Sequence, residues 1–268
     1  MSKNTLVALV VVVVVALGIG YWLNNRSAQE TAQPRVTGVL KVGSDVTYPP
    51  FEFVDEKTNE FKGFDIDLIN AIGEVMGKKI EIVNTAWDGI IPGLLNGNYD
   101  ALISAMTITE ERAQAVDFSD PYFATGQVIV LRADNTSIRT PKDLEGKVVA
   151  VQIGTTGDFE ASKVKGVKKI ARFNTTPEAL QEVLNGAADA AVVDELVARE
   201  FIKKNPGAVK LAEVGVFTVE YYGIAVRKGD DELRKEINRA LATVKASGKY
   251  DEIYNKWFGT ETTAAKSE

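Results

Sequence analysis

The stretch Tyr99–Phe123 reads YDALISAMTITEERAQAVDFSDPYF, and the rest of the chain is organised around it. Its apolar run Ala101–Ile103 predicts a strand that stops at Ser104, and Thr109 is placed to cap the helix that follows. The first turn of that helix holds Arg112, although the positive end of a helix dipole favours acidic residues. Backbone N–H groups at a strand-to-helix turn, with a guanidinium beside them, make a site for a carboxylate. Pairing of Arg112 with a surface glutamate is the alternative, since most charged side chains are solvated.

The composition excludes several kinds of chemistry. The 268-residue chain has no cysteine and no histidine, so disulfides, thiolate chemistry, the commonest general base and the commonest transition-metal ligand are all absent. No calcium-loop spacing is present, and we predict neither a metal nor a cofactor. The formal net charge of −6 argues against nucleic acid as a partner.

The N-terminal segment is predicted to lie outside the fold. Thr5–Leu23 carries no charge and is about long enough to cross a bilayer, and Lys3 precedes it as a positive-inside segment requires. Residues 1–24 are therefore a signal peptide or a retained membrane anchor, and the lack of an A-x-A cleavage site favours the anchor. The polar residues 25–37 predict a linker, and residues 261–268 a disordered tail. The folded part then works outside the cytoplasmic membrane.

Strand and helix patterns alternate along the remaining chain. The predicted strands are Val39–Val42, Lys79–Val83, Tyr99–Ile103, Gln127–Leu131, Lys147–Gln152, Ala190–Val193 and Tyr221–Arg227. The predicted helices are Phe64–Gly77, Ile90–Asn96, Pro177–Leu184, Asp231–Ser247 and Tyr250–Phe258. This alternation predicts an α/β fold with mostly parallel sheets that are flanked by helices.

A short internal echo predicts two lobes of similar design. The segment Leu95–Ala101 (LNGNYDA) recurs as Leu184–Ala190 (LNGAADA), and each copy reads as a helix end, a glycine cap and a strand entry. Ligands of open α/β sheets bind beyond the carboxyl ends of the strands. The echo sets Ser104 and Ala105 at the tip of one strand, and Val193 and Asp194 at the matching tip in the other lobe. If the two lobes face each other, a carboxylate from one side opposes an arginine from the other. A chance repeat is the alternative.

Polar and aromatic residues gather at these strand ends and in the loops after them. The candidate ligand-binding residues are Asp45, Tyr48, Trp87, Ser104, Ala105, Met106, Thr107, Arg112, Gln152, Thr155, Thr156 and Asp194. Arg112 with the N–H groups near Thr107 and Thr156 would hold an anion. Asp194, with the carbonyl groups near Ser104 and Ala105, would hold a cation. Two opposite poles fit an α-amino acid, whose side chain Tyr48 and Trp87 would sandwich. Core packing of the two aromatics, and a helix-capping role for Asp194, are the alternatives.

Five signatures carry a resemblance to a known family, and the likeness extends over nearly all of the chain from Val39 to Gly259. They are Gly63–Leu68 (GFDIDL), Trp87-Asp88 before Pro92–Leu95 (PGLL), Thr107–Arg112 (TITEER), Asp117–Tyr122 (DFSDPY) and Tyr254–Phe258 (YNKWF). In these features the chain resembles the extracytoplasmic solute-binding proteins of polar amino-acid ABC transporters.

This resemblance implies the two-lobed periplasmic-binding-protein fold, with residues 38–126 plus 222–260 as lobe 1 and residues 127–221 as lobe 2. Two crossing segments would form the hinge. The resemblance also implies that Arg112 binds the ligand carboxylate, that Asp194 binds the ammonium group, and that the two aromatics stack on the ligand.

The resemblance bears on ligand choice as well. Asp45 and the run Gln152–Gly157 (QIGTTG) look most like those of basic amino-acid binders, with arginine first and lysine next. Glutamine stays compatible, because a carboxylate and an amide can also bond an amide. The expected partners are the amino acid and an ABC transporter permease, with the protein itself a monomer. The rival hypotheses are a cyclohexadienyl-dehydratase-like enzyme on the same scaffold and a sensor input domain.

Overall fold

The computed structural model describes residues Gly38–Gly259. The predicted signal or anchor (1–24), the linker (25–37) and the tail (261–268) lie outside the described residues. Within the described range, no helix combines the length and apolar character needed to span a membrane.

Strands and helices alternate, as the sequence predicts. The strands are β1 (Gly38–Ser44), β2 (Thr47–Tyr48), β3 (Glu52–Val54), β4 (Phe61–Lys62), β5 (Lys78–Asn84), β6 (Ala101–Leu102), β7 (Val116–Phe118), β8 (Phe123–Thr125), β9 (Gln127–Arg132), β10 (Val148–Gln152), β11 (Lys169–Phe173), β12 (Ala190–Asp194), β13 (Val209–Leu211), β14 (Glu220–Tyr222) and β15 (Ala225–Arg227). The helices are α1 (Phe64–Met76), α2 (Ile90–Leu95), α3 (Glu110–Ala115), α4 (Thr156–Lys163), α5 (Thr176–Asn185), α6 (Glu195–Lys204), α7 (Asp231–Ala246) and α8 (Lys249–Phe258). Each helix predicted from periodicity is present, with slightly shifted ends.

Two five-stranded sheets define the two lobes, with the order β5-β1-β6-β15-β7 in lobe 1 and β11-β10-β12-β9-β13 in lobe 2. The central strands β1 and β10 each pair in parallel with both neighbours, whereas β15 and β9 pair antiparallel with theirs. The sheets are therefore mixed, where mostly parallel sheets were predicted. The reason is connectivity, since β9 and β15 arrive from the other lobe and not through a helical crossover.

The two chain crossings pair with each other between the lobes. Strands β8 and β14 form a two-stranded antiparallel sheet. Beside it Gly126 passes so close to the second crossing that a Cβ atom would lie 2.1 Å from the carbonyl oxygen of Thr218. The prediction of a single strand over Tyr221–Arg227 is wrong, because the structure has two strands there. The first, β14, pairs with β8 in the hinge, and the second, β15, joins the lobe 1 sheet. The lobe boundaries themselves stay a prediction.

An aromatic cluster holds both hinge strands against lobe 1. The ring of Phe51 meets Phe123 of β8 at 5.1 Å and Tyr222 of β14 at 5.3 Å between centroids, both edge to face. Phe64 of α1 and Phe258 of α8 close the cluster. Such edge-to-face pairs add stabilisation beyond the apolar area that they bury. The base of the hinge is thus part of the lobe 1 core.

The sequence echo is a structural equivalence. Gly97 and Gly186 both adopt φ 78 at the ends of α2 and α5, a left-handed conformation that favours glycine. The Oδ2 atom of Asp100 accepts a hydrogen bond from a backbone N–H group of β1 at 3.1 Å. The Oδ2 atom of Asp189 accepts one from the first backbone N–H group of β10 at 2.8 Å. Each lobe therefore fixes its central strand in the same way.

Candidate functional site

A cavity of about 320 Å³ lies between the lobes at the carboxyl ends of β1, β6, β10 and β12, a volume within the usual range for small-molecule sites. Its walls are formed by Asp45, Tyr48, Glu52, Trp87, Ser104, Ala105, Thr107, Arg112, Gln152, Thr155, Thr156 and Asp194. Of the residues predicted for the site, only Met106 is missing from the walls that the described chain forms, and Glu52 is an addition.

Met106 differs from the prediction because its side chain belongs to the core. It is fully buried with Leu94, Tyr99 and Leu102. The preceding residue, Ala105, has φ 44, which is unusual for a residue other than glycine. This left-handed residue turns the chain, so neighbouring residues of the turn line the cavity while the methionine packs behind it.

Arg112 provides the positive pole of the cavity. Its guanidinium donates to the carbonyl oxygen of Thr107 at 2.8 Å and, across the cleft, to that of Gly154 in lobe 2 at 3.3 Å. Its Cζ atom lies 5.2 Å from the centroid of the Trp87 ring, in cation–π contact. Thr109 caps α3 as predicted, accepting from the Arg112 N–H at 3.2 Å. Only 8% of Arg112 is exposed, so it is not a solvated surface arginine.

Asp194 provides the negative pole, from lobe 2. Its carboxylate accepts hydrogen bonds from the Tyr48 hydroxyl, which lies in lobe 1, and from Gln127 Nε2 at 2.9 Å. It stands at the first position before α6, yet in the described chain its side chain makes no capping bond there, so the helix-cap alternative is wrong. Burial, together with the nearby charge of Glu220, raises the pKa of Asp194 to about 7.

A second carboxylate, Asp45, lines the cavity from lobe 1. Gln152 Nε2 of lobe 2 donates to Asp45 Oδ2 at 3.2 Å, and the Thr47 hydroxyl donates to Oδ1 at 2.9 Å. The Thr176 hydroxyl donates to Gln152 Oε1 at 2.7 Å, which fixes the orientation of the amide. Burial raises the pKa of Asp45, partly offset by these hydrogen bonds. The pair can receive either a cationic group or an amide.

Two buried acids that the sequence analysis missed support the turn at Ser104. The Ser104 hydroxyl donates to Glu52 Oε1 at 3.0 Å, and the Ala105 N–H and the Tyr122 hydroxyl donate to Asp65 Oδ2 at 2.7 and 2.6 Å. The charge of Asp65 acts on Glu52 and adds to the effect of burial on the Glu52 pKa. Burial raises the pKa of Glu52 well above its usual value and that of Asp65 to about 7. A sequence feature that could have identified such a residue is an acid inside an apolar stretch, as Glu52 is in Phe51–Val54.

After β10 the structure adds helix α4, which is not among the helices predicted from the sequence. Thr155 caps it by accepting from the Asp158 N–H at 3.2 Å. The N-terminal, positive dipole end of α4 therefore lies beside the cavity, a favourable place for an anion. The Thr156 hydroxyl donates to Glu220 Oε2 at 2.7 Å, and the Thr107 hydroxyl donates to the same atom at 2.8 Å.

Comparison with known proteins fits this architecture. Residues 40–260 match the bacterial extracellular solute-binding proteins, family 3. The chain belongs to this family, and the predicted two-lobed fold is confirmed.

Among curated relatives, a probable histidine-binding protein of Neisseria gonorrhoeae is 42% identical over 227 residues, which is 83% of this chain and 84% of the relative. The L-arginine-binding protein of Pseudomonas aeruginosa is 36% identical over 229 residues, covering 82% and 87%. An L-cystine-binding protein of Escherichia coli is 33% identical over 229 residues, covering 84% and 85%.

Solved structures agree. An ancestral arginine-binding protein bound to arginine has a TM-score of 0.80 and 48% identity, covering 84% of this chain and all (100%) of that one. An ancestral arginine-binding protein bound to glutamine has a TM-score of 0.79 and 48% identity, covering 83% and 98%. An ancestral amino acid-binding protein, a precursor of cyclohexadienyl dehydratase, has a TM-score of 0.77 and 45% identity, covering 82% and 96%.

Proposed function

We propose that this solute-binding protein captures a polar L-amino acid with a basic side chain, arginine first and lysine next, outside the cytoplasmic membrane. The observation that carries the proposal is that Arg112 and Asp194, of opposite charge and from separate lobes, line one cavity. A zwitterion presents the two matching charges, a carboxylate for Arg112 and an ammonium group for Asp194.

Charge matching favours a cationic side chain. Beyond the two poles, the cavity contains the carboxylate of Asp45 with the amide of Gln152 bonded to it. A guanidinium or ammonium group would neutralise that buried carboxylate, whereas an apolar side chain would leave it without a counter-charge. The arginine-binding names of similar proteins support the same ligand class.

Glutamine is the second candidate. Its side-chain amide could donate to Asp45 while accepting from Gln152, and one similar structure holds glutamine. Arginine is favoured over it because burying Asp45 without a counter-charge has a higher free-energy cost.

We propose that ligand binding closes the lobes about the β8–β14 hinge and that the closed form delivers the ligand to an ABC transporter permease. Three contacts between the lobes support closure around this cavity: Tyr48 with Asp194, Asp45 with Gln152, and Arg112 with the Gly154 carbonyl. Since each contact uses a side chain proposed to bind ligand, capture and closure would be coupled.

An enzyme of the dehydratase class is the remaining alternative, because a neighbouring structure is a dehydratase precursor and a cavity carboxyl has a raised pKa. Retention of both amino-acid poles supports binding instead. Assays with prephenate and arogenate separate the two, since a binding protein gives no turnover while still binding arginine.

The decisive experiment is isothermal titration calorimetry on protein that has been unfolded and refolded to remove co-purified ligand. The panel contains arginine, lysine, histidine, glutamine, cystine and leucine. We expect arginine to bind most tightly and lysine next. Tighter binding of leucine than of arginine and lysine would refute the proposal, and native mass spectrometry of the untreated protein identifies what it carries.

A further inference from the structure

Glu220 is a buried carboxylate that lies behind the cavity walls, on hinge strand β14. Its Oε2 atom accepts from the hydroxyls of Thr107 at 2.8 Å and Thr156 at 2.7 Å, and its Oε1 atom accepts from Thr218 at 3.1 Å. Thr107 belongs to lobe 1, Thr156 begins helix α4 of lobe 2, and Thr218 lies on the second crossing. One carboxylate therefore joins both lobes and the hinge.

The surroundings of Glu220 include both poles of the ligand site. Its charge acts on Asp194 and on Arg112, and Asp194 is also faced by Tyr48 and Tyr222. The negative charge of Glu220 acts upward on both pKa values: it raises the pKa of Asp194, which disfavours the carboxylate, and it counters the burial that lowers the pKa of Arg112, which favours the guanidinium cation. Glu220 therefore bonds to both lobes and also influences the charge of both poles.

We propose that Glu220 is a positioning residue of the ligand site, which orients Thr107 and Thr156 from opposite lobes and sets the charge balance between Arg112 and Asp194. The inference deepens the proposed function and rests on it only for the identity of the ligand. No direct contact between Glu220 and the ligand is required.

Two physical consequences follow. A rotation that opens the cleft separates Thr107 from Thr156, so Glu220 Oε2 loses one of its two hydrogen bonds. The pair of hydrogen bonds therefore favours the closed form. Removal of the negative charge also makes ionisation of Asp194 easier. Glu220→Gln removes the charge and keeps the shape, whereas Glu220→Ala removes both.

The first test needs no ligand. Carboxyl ¹³C NMR titration of the ligand-free protein follows Asp194, whose signal is assigned with Asp194→Asn. We expect Glu220→Gln to lower the pKa of Asp194 by roughly one unit, because a neighbouring negative charge is removed. Glu213→Gln is the matched control, since that carboxylate is largely exposed and pairs with Arg139, and it should leave the titration unchanged.

The second test measures closure. The chain has no cysteine, so Lys79→Cys in lobe 1 and Lys165→Cys in lobe 2 introduce a specific pair of spin labels for distance measurement. With arginine bound, we expect Glu220→Ala to lengthen the mean distance between labels, and we expect it to raise the Kd for arginine about tenfold or more, as loss of hydrogen bonds to a charged group implies. Glu220→Gln should show a smaller change in both.

An unchanged Asp194 titration in Glu220→Gln, together with an unchanged label distance in Glu220→Ala, would overturn the inference. Thermal melts of both variants identify a fold defect, and Glu220→Gln then remains as the isosteric test. If the wild-type protein fails to bind arginine, the proposed function fails, while the ligand-free titration of Asp194 still decides the role of Glu220.

Discussion

The two lobes match at one end of their sheets and differ at the other. At the amino ends of the strands, Asp100 and Asp189 make the same hydrogen bond to their central strands. At the carboxyl ends, lobe 1 presents Arg112 and the turn after β6, whereas lobe 2 presents Asp194. The shared end stabilises a lobe, and the divergent end supplies the chemistry.

The two ends of the sheets should therefore respond differently to substitution. A change at the matched ends should alter stability alone, because those residues lie far along the strands from the cavity. A change at the divergent ends should alter ligand binding. Substitutions at each end of the sheets test that separation.

Arg112→Ala should weaken arginine binding by about 2–5 kcal/mol, because the ligand carboxylate would be buried without its counter-charge. Titration calorimetry measures the loss. The matched control is Arg139→Ala, whose guanidinium is mostly exposed on lobe 2. Binding within about threefold of wild type would contradict the role assigned to the positive pole.

Asp194→Asn should weaken arginine binding by about 1.5–3 kcal/mol above neutral pH, since a charge-assisted hydrogen bond to the ammonium group is lost. The pH dependence is the sharper readout. Its pKa of about 7 means that the ligand-free carboxyl is protonated in acid, so ammonium binding must release that proton.

Wild-type affinity should therefore rise with pH up to about 7 and level off above it, falling about tenfold per pH unit on the acid side. Asp194→Asn should remove most of this slope. Calorimetry between about pH 5.5 and pH 8.5 tests both statements. A wild-type profile without a slope on the acid side would show that the ionised carboxylate is not the group that binds.

Asp45→Asn should change selectivity more than overall affinity. We expect arginine binding to weaken by about 1–2 kcal/mol, because a cationic side chain loses its counter-charge, while glutamine binding stays within about threefold. Competition titrations with the two ligands measure the ratio. Glu213→Gln is the control, since that carboxylate is largely exposed and pairs with Arg139. An equal loss of affinity for both ligands would show that Asp45 does not determine selectivity.

Asp100→Ala and Asp189→Ala should each lower the free energy of unfolding by about 0.5–1.5 kcal/mol, the net contribution of one hydrogen bond. Arginine affinity should remain at the wild-type value in both. Urea unfolding and calorimetry on the same samples make the comparison. A large loss of affinity in either variant would break the separation between the two ends of the lobes.

The sequence alone determined the alternation of strands and helices, the duplicated lobe design and most of the cavity residues. It did so because apolar periodicity, glycine caps and turn residues are local signals, and because the carboxyl ends of strands gather at one edge of a sheet. Arg112 could be singled out because it lies beside the backbone N–H groups of a strand-to-helix turn, in the first turn of a helix where the dipole disfavours an arginine.

Only the tertiary structure decided which side chains meet. Glu220 was a single acid in the apolar and aromatic run Val216–Tyr222, and its contacts with Thr107 and Thr156 join residues 113 and 64 positions apart. The left-handed turn at Ala105 withdrew Met106 into the core, and the crossing strands made the sheets mixed. These outcomes depend on packing between distant segments, about which local periodicity carries no information.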